Sequence, residues 1–247
     1  MGAVDPFADP AAYDRAYADR VDDVAFYRAF AREHGGPVLE IGCGNGRVLL
    51  PIAEDGVEIV GIDRSRPLVA DLRRRLRPGL PASAKVADMR TFRLGRRFPL
   101  VLCTFNTVLH LTHRAEFEQF FRRVRRHLAP GGRFVFDALV PRAADLARDP
   151  RRWLRAPGFR EGGVRYTHRE RFGYEPLEQL LYVTTEIARA GGEVCSTTLL
   201  VHRQLFPAET EALLHYNGFA VEHVWADFTR EEPELDADSL VWVTRPS

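Results

Sequence analysis

The sequence predicts an α/β fold built on a doubly wound, mostly parallel sheet. Between residues 38 and 137, short apolar runs of the buried-strand type alternate with helix-like patterns. The first apolar run, 38–41, leads into a glycine-rich turn and then a helix-like stretch, which is how a nucleotide-binding βαβ unit begins. Two apolar runs near the C-terminus, 220–227 and 239–244, predict a closing antiparallel hairpin.

Length and composition narrow the class of protein. A chain of 247 residues suits one α/β domain with an insertion. The formal net charge of +1 creates no overall field that would attract nucleic acid. The chain shows neither an apolar run long enough to span a bilayer nor a secretory leader. Its three cysteines, Cys43, Cys103 and Cys195, lack metal-ligand spacing and indicate a reducing, cytoplasmic location with no metal site.

Two helices are expected before the sheet. Asp9 is placed to cap a helix over 11–18, in which Tyr13 and Tyr17 share one face at i,i+4 spacing. A second helix is expected over 22–33 and ends at a Gly-Gly-Pro sequence. The tyrosines either pack this amphipathic helix onto the domain or face a ligand, and the pattern alone leaves both readings open.

The turn after the first strand separates two classes of cofactor. Glu40 lies inside the strand, and glycines follow at Gly42, Gly44 and Gly46. A dinucleotide fingerprint would place its third glycine at position 47, where this chain has Arg47. A carboxylate beside the turn suits a cationic ligand better than a pyrophosphate, because like charges repel at short range.

Acidic residues end the next two strands. The strand 57–62 is followed by Asp63, an acid placed to accept the two hydroxyls of a ribose. A short third strand, 85–87, is followed by Asp88 and Met89. The intervening helices are expected at 47–54 and 66–77.

The fourth strand, 100–104, ends beside the point where the strand order reverses, which is where open α/β sheets bind ligands. Phe105, Asn106 and His110 follow it. Cys103 lies within the apolar run and is expected to be a buried structural thiol. Five apolar residues at helical spacing then predict a helix that leads to a fifth strand at 133–137: Phe117, Phe120, Phe121, Val124 and Leu128.

Residues 138–206 interrupt the βα alternation. A loop is expected over 141–160, and strand-like runs follow it. We interpret this part as an antiparallel β insertion between strand five and the last helix, able to cover the active site or to form a homodimer surface. The expected strands are 164–173, 179–189 and 193–206, with a hairpin turn at 190–192, and the last helix covers 207–216.

Glu40, the glycine turn and Asp63 together resemble the class I S-adenosylmethionine-dependent methyltransferases that act on small molecules. The resemblance covers residues 10–137 and includes the Leu-x-Pro-Gly-Gly-x-Phe pattern at 128–134. It implies a Rossmann-like, seven-stranded sheet, with S-adenosylmethionine as cofactor and S-adenosylhomocysteine as product. It also implies a division into an N-terminal helical lid (1–36), a cofactor-binding core (37–137), the insertion (138–206) and the C-terminal part of the core (207–247).

The resemblance assigns candidate site residues. It implies that Asp88 faces the adenine amine, that Met89 contacts the adenine face, and that Tyr13 and Tyr17 face the methyl group from the lid. Tyr17 is a candidate catalytic residue. The implied cofactor-binding set is Tyr13, Glu40, Gly42, Cys43, Gly44, Gly46, Arg47, Asp63, Arg64, Asp88, Met89, Phe105 and Asn106.

A general base is needed only for some acceptors. We expect His110 in this role, because its strand end would face the cofactor's sulfur; the other candidates are His113, His168 and His202. An amine acceptor could lose its proton to water without a dedicated base.

The expected function is methyl transfer to an O, N or C atom of a small metabolite in a natural-product pathway. Two alternatives remain open: a non-methylating enzyme of the same fold, such as a cyclase, and an NAD-dependent oxidoreductase, against which Glu40 and Arg47 argue. Nucleic-acid methylation is disfavoured, because Phe105-Asn106-Thr107 lacks a Pro-Pro-aromatic motif and Cys103 has no neighbouring proline.

Overall fold

The computed structural model describes residues 4–247, so the first three residues of the predicted lid lie outside the described part. The chain forms two compact units. The larger unit consists of residues 9–140 and 205–247, and the smaller unit contains residues 4–8 and 141–204.

The described residues form eleven strands and seven α-helices. The strands are β1 (Val38–Ile41), β2 (Ile59–Asp63), β3 (Ala82–Val86), β4 (Phe98–Cys103), β5 (Leu128–Leu139), β6 (Leu154–Glu161), β7 (Val164–Glu175), β8 (Leu180–Arg189), β9 (Val194–Arg203), β10 (Phe219–Ala226) and β11 (Ser239–Pro246). The helices are α1 (Pro10–Tyr17), α2 (Asp22–His34), α3 (Leu49–Glu54), α4 (Arg66–Arg75), α5 (Arg114–His127), α6 (Ala143–Leu146) and α7 (Pro207–Tyr216), with a 3-10 helix at Thr107–His110.

The larger unit contains a seven-stranded sheet with the order β10-β11-β5-β4-β1-β2-β3. The five strands from β5 to β3 pair in parallel, whereas β11 runs antiparallel to both β5 and β10. This confirms the predicted fold class. The strand order reverses between β1 and β4, so the carboxyl ends of these two strands border the crevice in which such sheets bind ligands.

Both faces of the central strands β1, β2 and β4 are buried, which explains why these strands are continuous apolar runs. Leu39 and Ile41 of β1 belong to a cluster that includes the phenylalanines of α5. Val38, on the opposite face, belongs to a second cluster with side chains of α2, α3 and α4. Cys103 is fully buried in the first cluster, as expected from its apolar neighbours.

The smaller unit contains an antiparallel sheet with the order β6-β7-β8-β9. The predicted strands and hairpin correspond to β7, β8 and β9, with the turn formed at Gly191 and Gly192. The predicted loop over 141–160 was wrong, since this segment contains α6 and β6. β6 is a polar edge strand with no alternating pattern, and it forms through pairing with β7, as in Leu154 with Glu170. No helix among residues 4–247 has the length and apolar character needed to cross a membrane.

Candidate active site

The glycine turn lies directly at the carboxyl end of β1. Gly42 has a positive φ of 78°, and a Cβ at this position would overlap the side chain of Thr107. Gly44 also has a positive φ, and its Cβ would lie 3.5 Å from the hydroxyl oxygen of Tyr13. Gly42 is therefore needed for both conformation and space, and Gly44 for conformation. At Gly44, the backbone of the turn faces helix α1.

Asp63, the last residue of β2, holds this turn in place. Its carboxylate accepts hydrogen bonds from the backbone N–H of Gly44 (2.9 Å) and of Ser65 (2.7 Å). Burial raises the pKa of Asp63, and the two N–H donors oppose that shift by stabilising the anion. The carboxylate predicted to bind a ribose is thus fixed against the glycine turn.

Glu40 is 1% exposed and lies in the middle of the parallel strands. Its Oε1 accepts a hydrogen bond from the Thr104 hydroxyl (2.8 Å). Its Oε2 has no hydrogen-bond partner among residues 4–247. Burial raises the pKa of Glu40 to about 8, and Arg47 partly opposes the shift. A buried carboxylate oxygen without a donor is costly, so it marks a place where a ligand can bind.

Arg47 links the turn to the segment after β4. Its guanidinium forms two hydrogen bonds with Asp23 of α2, at 2.7 and 2.5 Å. It also lies 4.4 Å from the centroid of the Phe105 ring, which is cation–π distance. The positive charge of Arg47 therefore interacts with the Asp23 carboxylate and the Phe105 ring.

Helix α1 lies over the turn. Asp9 caps it by accepting a hydrogen bond from the Ala11 N–H (2.9 Å), as predicted. Asp14 accepts a hydrogen bond from the Asn45 amide in the turn (2.7 Å) and pairs with Arg75 of α4. These polar contacts attach α1 to two elements of the cofactor-binding core.

The two tyrosines of α1 add aromatic contacts to these polar ones. Tyr13 and Tyr17 are half-buried and make an edge-to-face contact with centroids 4.8 Å apart. Tyr17 makes a second edge-to-face contact, also 4.8 Å, with Phe105. Burial raises the pKa of Tyr13 above its ordinary value, so its hydroxyl stays protonated near neutral pH. Both tyrosines therefore pack against aromatic rings, and Tyr13 also lies near the glycine turn. Their role in a lid stays a prediction.

The segment after β4 is fixed by a residue that sequence reasoning missed. Asp137, at the carboxyl end of β5, accepts hydrogen bonds from the backbone N–H of Phe105 (2.7 Å) and of Asn106 (2.8 Å). The hydroxyl of Tyr27 donates a third hydrogen bond to it (2.6 Å). The sequence did contain a positional signal, because Asp137 ends the predicted strand 133–137 just as Asp63 follows the predicted strand 57–62.

Asp88 and Met89 follow β3 as expected. The Asp88 carboxylate accepts hydrogen bonds from the backbone N–H of Arg90 (2.8 Å) and from its guanidinium (2.6 Å). These contacts lower the pKa of Asp88. Asp88 is therefore a turn residue with an ion-pair partner, and its predicted adenine contact stays a prediction. Met89 is half-buried against the larger hydrophobic cluster.

The remaining predicted residues occupy different positions around the turn. Cys43 is buried against Gly61, and burial raises the pKa of its thiol. Arg64 is exposed, and its charge opposes the rise in the pKa of Asp63 and contributes to the lowered pKa of Asp88. His110 is half-buried and ends the 3-10 helix after β4. Its role as a base stays a prediction.

A model of a protein family described as a methyltransferase domain matches residues 38–132. The chain is 32% identical over 118 residues to the dTDP-3-amino-3,6-dideoxy-alpha-D-glucopyranose N,N-dimethyltransferase of Streptomyces fradiae. That alignment covers 47% of this chain and 45% of the relative, so it spans less than half of either protein.

Two other similarities extend over most of the chain. The cypemycin N-terminal methyltransferase of a Streptomyces species is 28% identical over 204 residues, which cover 78% of this chain and 76% of the relative. The solved structure of the CcbJ methyltransferase from Streptomyces caelestis superposes with a TM-score of 0.81 at 27% identity. It covers 93% of this chain and 98% of that protein.

Proposed function

Because this chain belongs to the class I S-adenosylmethionine-dependent methyltransferase family, we propose that it methylates an amino nitrogen of a small natural-product intermediate. Its cofactor is S-adenosylmethionine. The choice of nitrogen is supported by two relatives whose names describe N-methylation, one of an amino sugar and one of a peptide N-terminus.

The observation that carries the proposal is the buried Oε2 of Glu40. Burial raises the pKa of Glu40, and the carboxylates of Asp63 and Asp23 raise it further. Arg47, which opposes that rise, is hydrogen-bonded to Asp23. This arrangement favours a ligand that brings positive charge. It fits S-adenosylmethionine, which carries a sulfonium and an ammonium group, and opposes the pyrophosphate of a dinucleotide.

The residues present can hold this cofactor. Asp63 offers acceptor oxygens for ribose hydroxyls beside the Gly44 backbone, and Glu40 offers a carboxyl oxygen without a partner among residues 4–247, whose ionisation a cationic ligand would favour. When bound, S-adenosylmethionine supplies an electrophilic methyl group with a neutral thioether as its leaving group.

On the protein side, the main tasks are to align the acceptor and to exclude water. The rings of Tyr17 and Phe105, which contact one another, are placed to do both at the end of β4. An uncharged amine already presents its lone pair, so the reaction we propose does not depend on His110. An alcohol acceptor would depend on a base much more strongly.

The experiment that tests this proposal uses S-adenosylmethionine labelled in its methyl group. The purified protein is incubated with amino sugars and short peptides with free N-termini, and with matched controls in which a hydroxyl replaces the amine. We expect label in amine products only. Label transferred to the hydroxyl analogues alone would contradict N-methylation, and absence of binding to S-adenosylmethionine in calorimetry would contradict the cofactor assignment.

Three further predictions are proposals as well: the location of the protein, the lid and the role of the insertion. We propose a cytoplasmic location because Cys43, Cys103 and Cys195 are free thiols, which a reducing compartment preserves. The predicted lid, 1–36, and the use of the insertion, 138–206, as an acceptor cap or homodimer surface can be tested by truncation and by measurement of the mass in solution.

A further inference from the structure

Asp137 is a buried acid outside the motifs that carry the methyltransferase resemblance. It is 1% exposed, and its two carboxylate oxygens accept three hydrogen bonds, from Tyr27 and from the backbone of Phe105 and Asn106. Burial raises its pKa to about 6, so the group is an anion at neutral pH. Desolvating an anion costs free energy, so a residue that served packing alone would better be apolar.

We infer that Asp137 is a positioning residue for methyl transfer, which sets the Phe105 ring in the active site by binding two successive backbone amides. This inference rests on the proposed function. Asp137 itself is separated from the glycine turn by the segment that it holds, and it acts through that segment.

The segment needs such an anchor because its conformation is unusual. Phe105 and Asn106 both adopt left-handed backbone angles, with φ of 56° and 59°. Residues with a Cβ rarely adopt this conformation, and two in succession are kept only where the surroundings impose it. Successive left-handed residues direct their N–H groups to one side, and the Asp137 carboxylate accepts both.

A second contact links the same two segments. The side-chain oxygen of Asn106 accepts a hydrogen bond from the backbone N–H of Leu139 (2.7 Å), two residues beyond Asp137. The Tyr27 hydroxyl, which is fully buried on α2, fixes the carboxylate from the other side. The end of β5 therefore determines the path of the chain after β4.

The consequence appears at the Phe105 ring. It contacts Arg47 of the glycine turn at 4.4 Å and Tyr17 of α1 at 4.8 Å. Phe105 thus connects the cofactor turn to the predicted lid, in addition to the hydrogen bond between Asn45 and Asp14. If its backbone relaxed toward ordinary angles, the ring would leave both contacts, and the acceptor side of the site would lose its shape.

The test combines kinetics with hydrogen exchange. In Asp137→Asn one acceptor oxygen becomes an amide donor that faces an N–H, so the segment should loosen. We expect kcat for an amine acceptor to fall about ten-fold or more, with little further loss when the change is added to Phe105→Leu, because both act through the same ring. Exchange of the peptide containing residues 104–107 should accelerate by about ten-fold, while exchange of β1 and β2 stays unchanged.

Controls separate positioning from stability. Glu211→Gln, at an exposed acid of α7 outside the proposed site, should change neither measurement. If Asp137→Asn does not fold, Tyr27→Phe, which removes a single hydroxyl, should give the same changes at smaller size. The inference would be overturned if the losses of kcat in Asp137→Asn and Phe105→Leu were fully additive. It would also be overturned if hydrogen exchange of residues 104–107 were unchanged in Asp137→Asn. A wild-type protein that methylates no amine would contradict the proposed function, while the exchange measurement still decides the role of Asp137.

Discussion

Substitution of the buried Glu40 should change protein stability and cofactor binding in opposite directions. In Glu40→Gln the shape of the side chain is kept and the charge is removed. The amide oxygen can still accept the hydrogen bond of the Thr104 hydroxyl. We expect the variant to be more stable than the wild type without cofactor and to bind S-adenosylmethionine more weakly.

The sign follows from the direction of the pKa shift. Burial raises the pKa of Glu40 from 4.5 to about 8, so the folded state binds the proton more tightly than the unfolded state does. This contribution to stability is fully present below pH 4.5 and is lost progressively as the pH rises through 8. Between pH 4.5 and pH 7 the loss accumulates to about 3–4 kcal/mol, taking about 1.4 kcal/mol per pH unit.

A glutamine avoids this loss, but its amide group takes the place of an oxygen that has no partner among residues 4–247. An unsatisfied buried amide costs roughly 1–3 kcal/mol, which offsets part of the gain. We therefore expect a net gain of about 1 kcal/mol at pH 7, equivalent to a rise in Tm of roughly 2–4 °C for a chain of this size. The gain should shrink toward zero or reverse at pH 5.

Binding should respond in the opposite way. A cationic ligand favours the ionised form of Glu40, so binding releases a proton and the wild-type Kd should fall as the pH rises from 6 to 8. Glu40→Gln should weaken binding by about ten-fold and lose most of this pH dependence. Differential scanning fluorimetry and calorimetric titration at three pH values measure both effects.

A matched control exists on the surface. Glu58, which is half-exposed and pairs with Arg96 at 2.7 Å, can be changed to glutamine with little expected effect on Tm or Kd. A Glu40→Gln variant that melts several degrees below the wild type at pH 7, or one that keeps the wild-type pH dependence of Kd, would refute the reasoning.

Three further predictions concern the same site. Asp63→Ala should weaken binding of S-adenosylmethionine about ten-fold or more, because a buried acceptor is lost; calorimetry showing wild-type affinity in a folded variant would place the ribose acid elsewhere. Tyr17→Leu should lower kcat more than it lowers Tm, since the ring is half-buried and contacts Phe105; a large fall in Tm with normal turnover would indicate packing alone. Arg47→Met should lower the free energy of unfolding in urea by about 3 kcal/mol, because it leaves the buried Asp23 unpaired; Arg66→Met, on an exposed position, is the control.

The parts of the fold and site that sequence reasoning predicted depend on local patterns. Apolar runs of four to six residues located the parallel strands, since each is buried on both faces. Gly42 and Asp63 could be assigned because strand ends and glycine turns have fixed spacing in such units. The helix cap at Asp9 depends only on its immediate neighbours.

The missed parts depend on contacts distant in sequence. Tyr27 lies 110 residues from Asp137, and no local pattern connects them. Arg47 was noted as a missing glycine and assigned to the cofactor-binding set, whereas its pairing with Asp23, 24 residues away, determines where its charge lies. The polar strand β6 likewise exists only because β7 supplies its hydrogen-bonding partners.

The acids of this site also explain how the turn discriminates among cofactors. Burial raises the pKa values of Glu40, Asp63 and Asp137, so each makes the folded protein less stable when it ionises without a counter-charge. Arg47 cannot relieve all three, because its guanidinium is bound to Asp23. A cationic ligand removes part of this cost on binding, and at 100 times its Kd such a ligand stabilises the fold by about 2.7 kcal/mol. A pyrophosphate would add to the same cost. We therefore expect discrimination against dinucleotides to depend on Glu40, whose ionised form a cationic ligand favours.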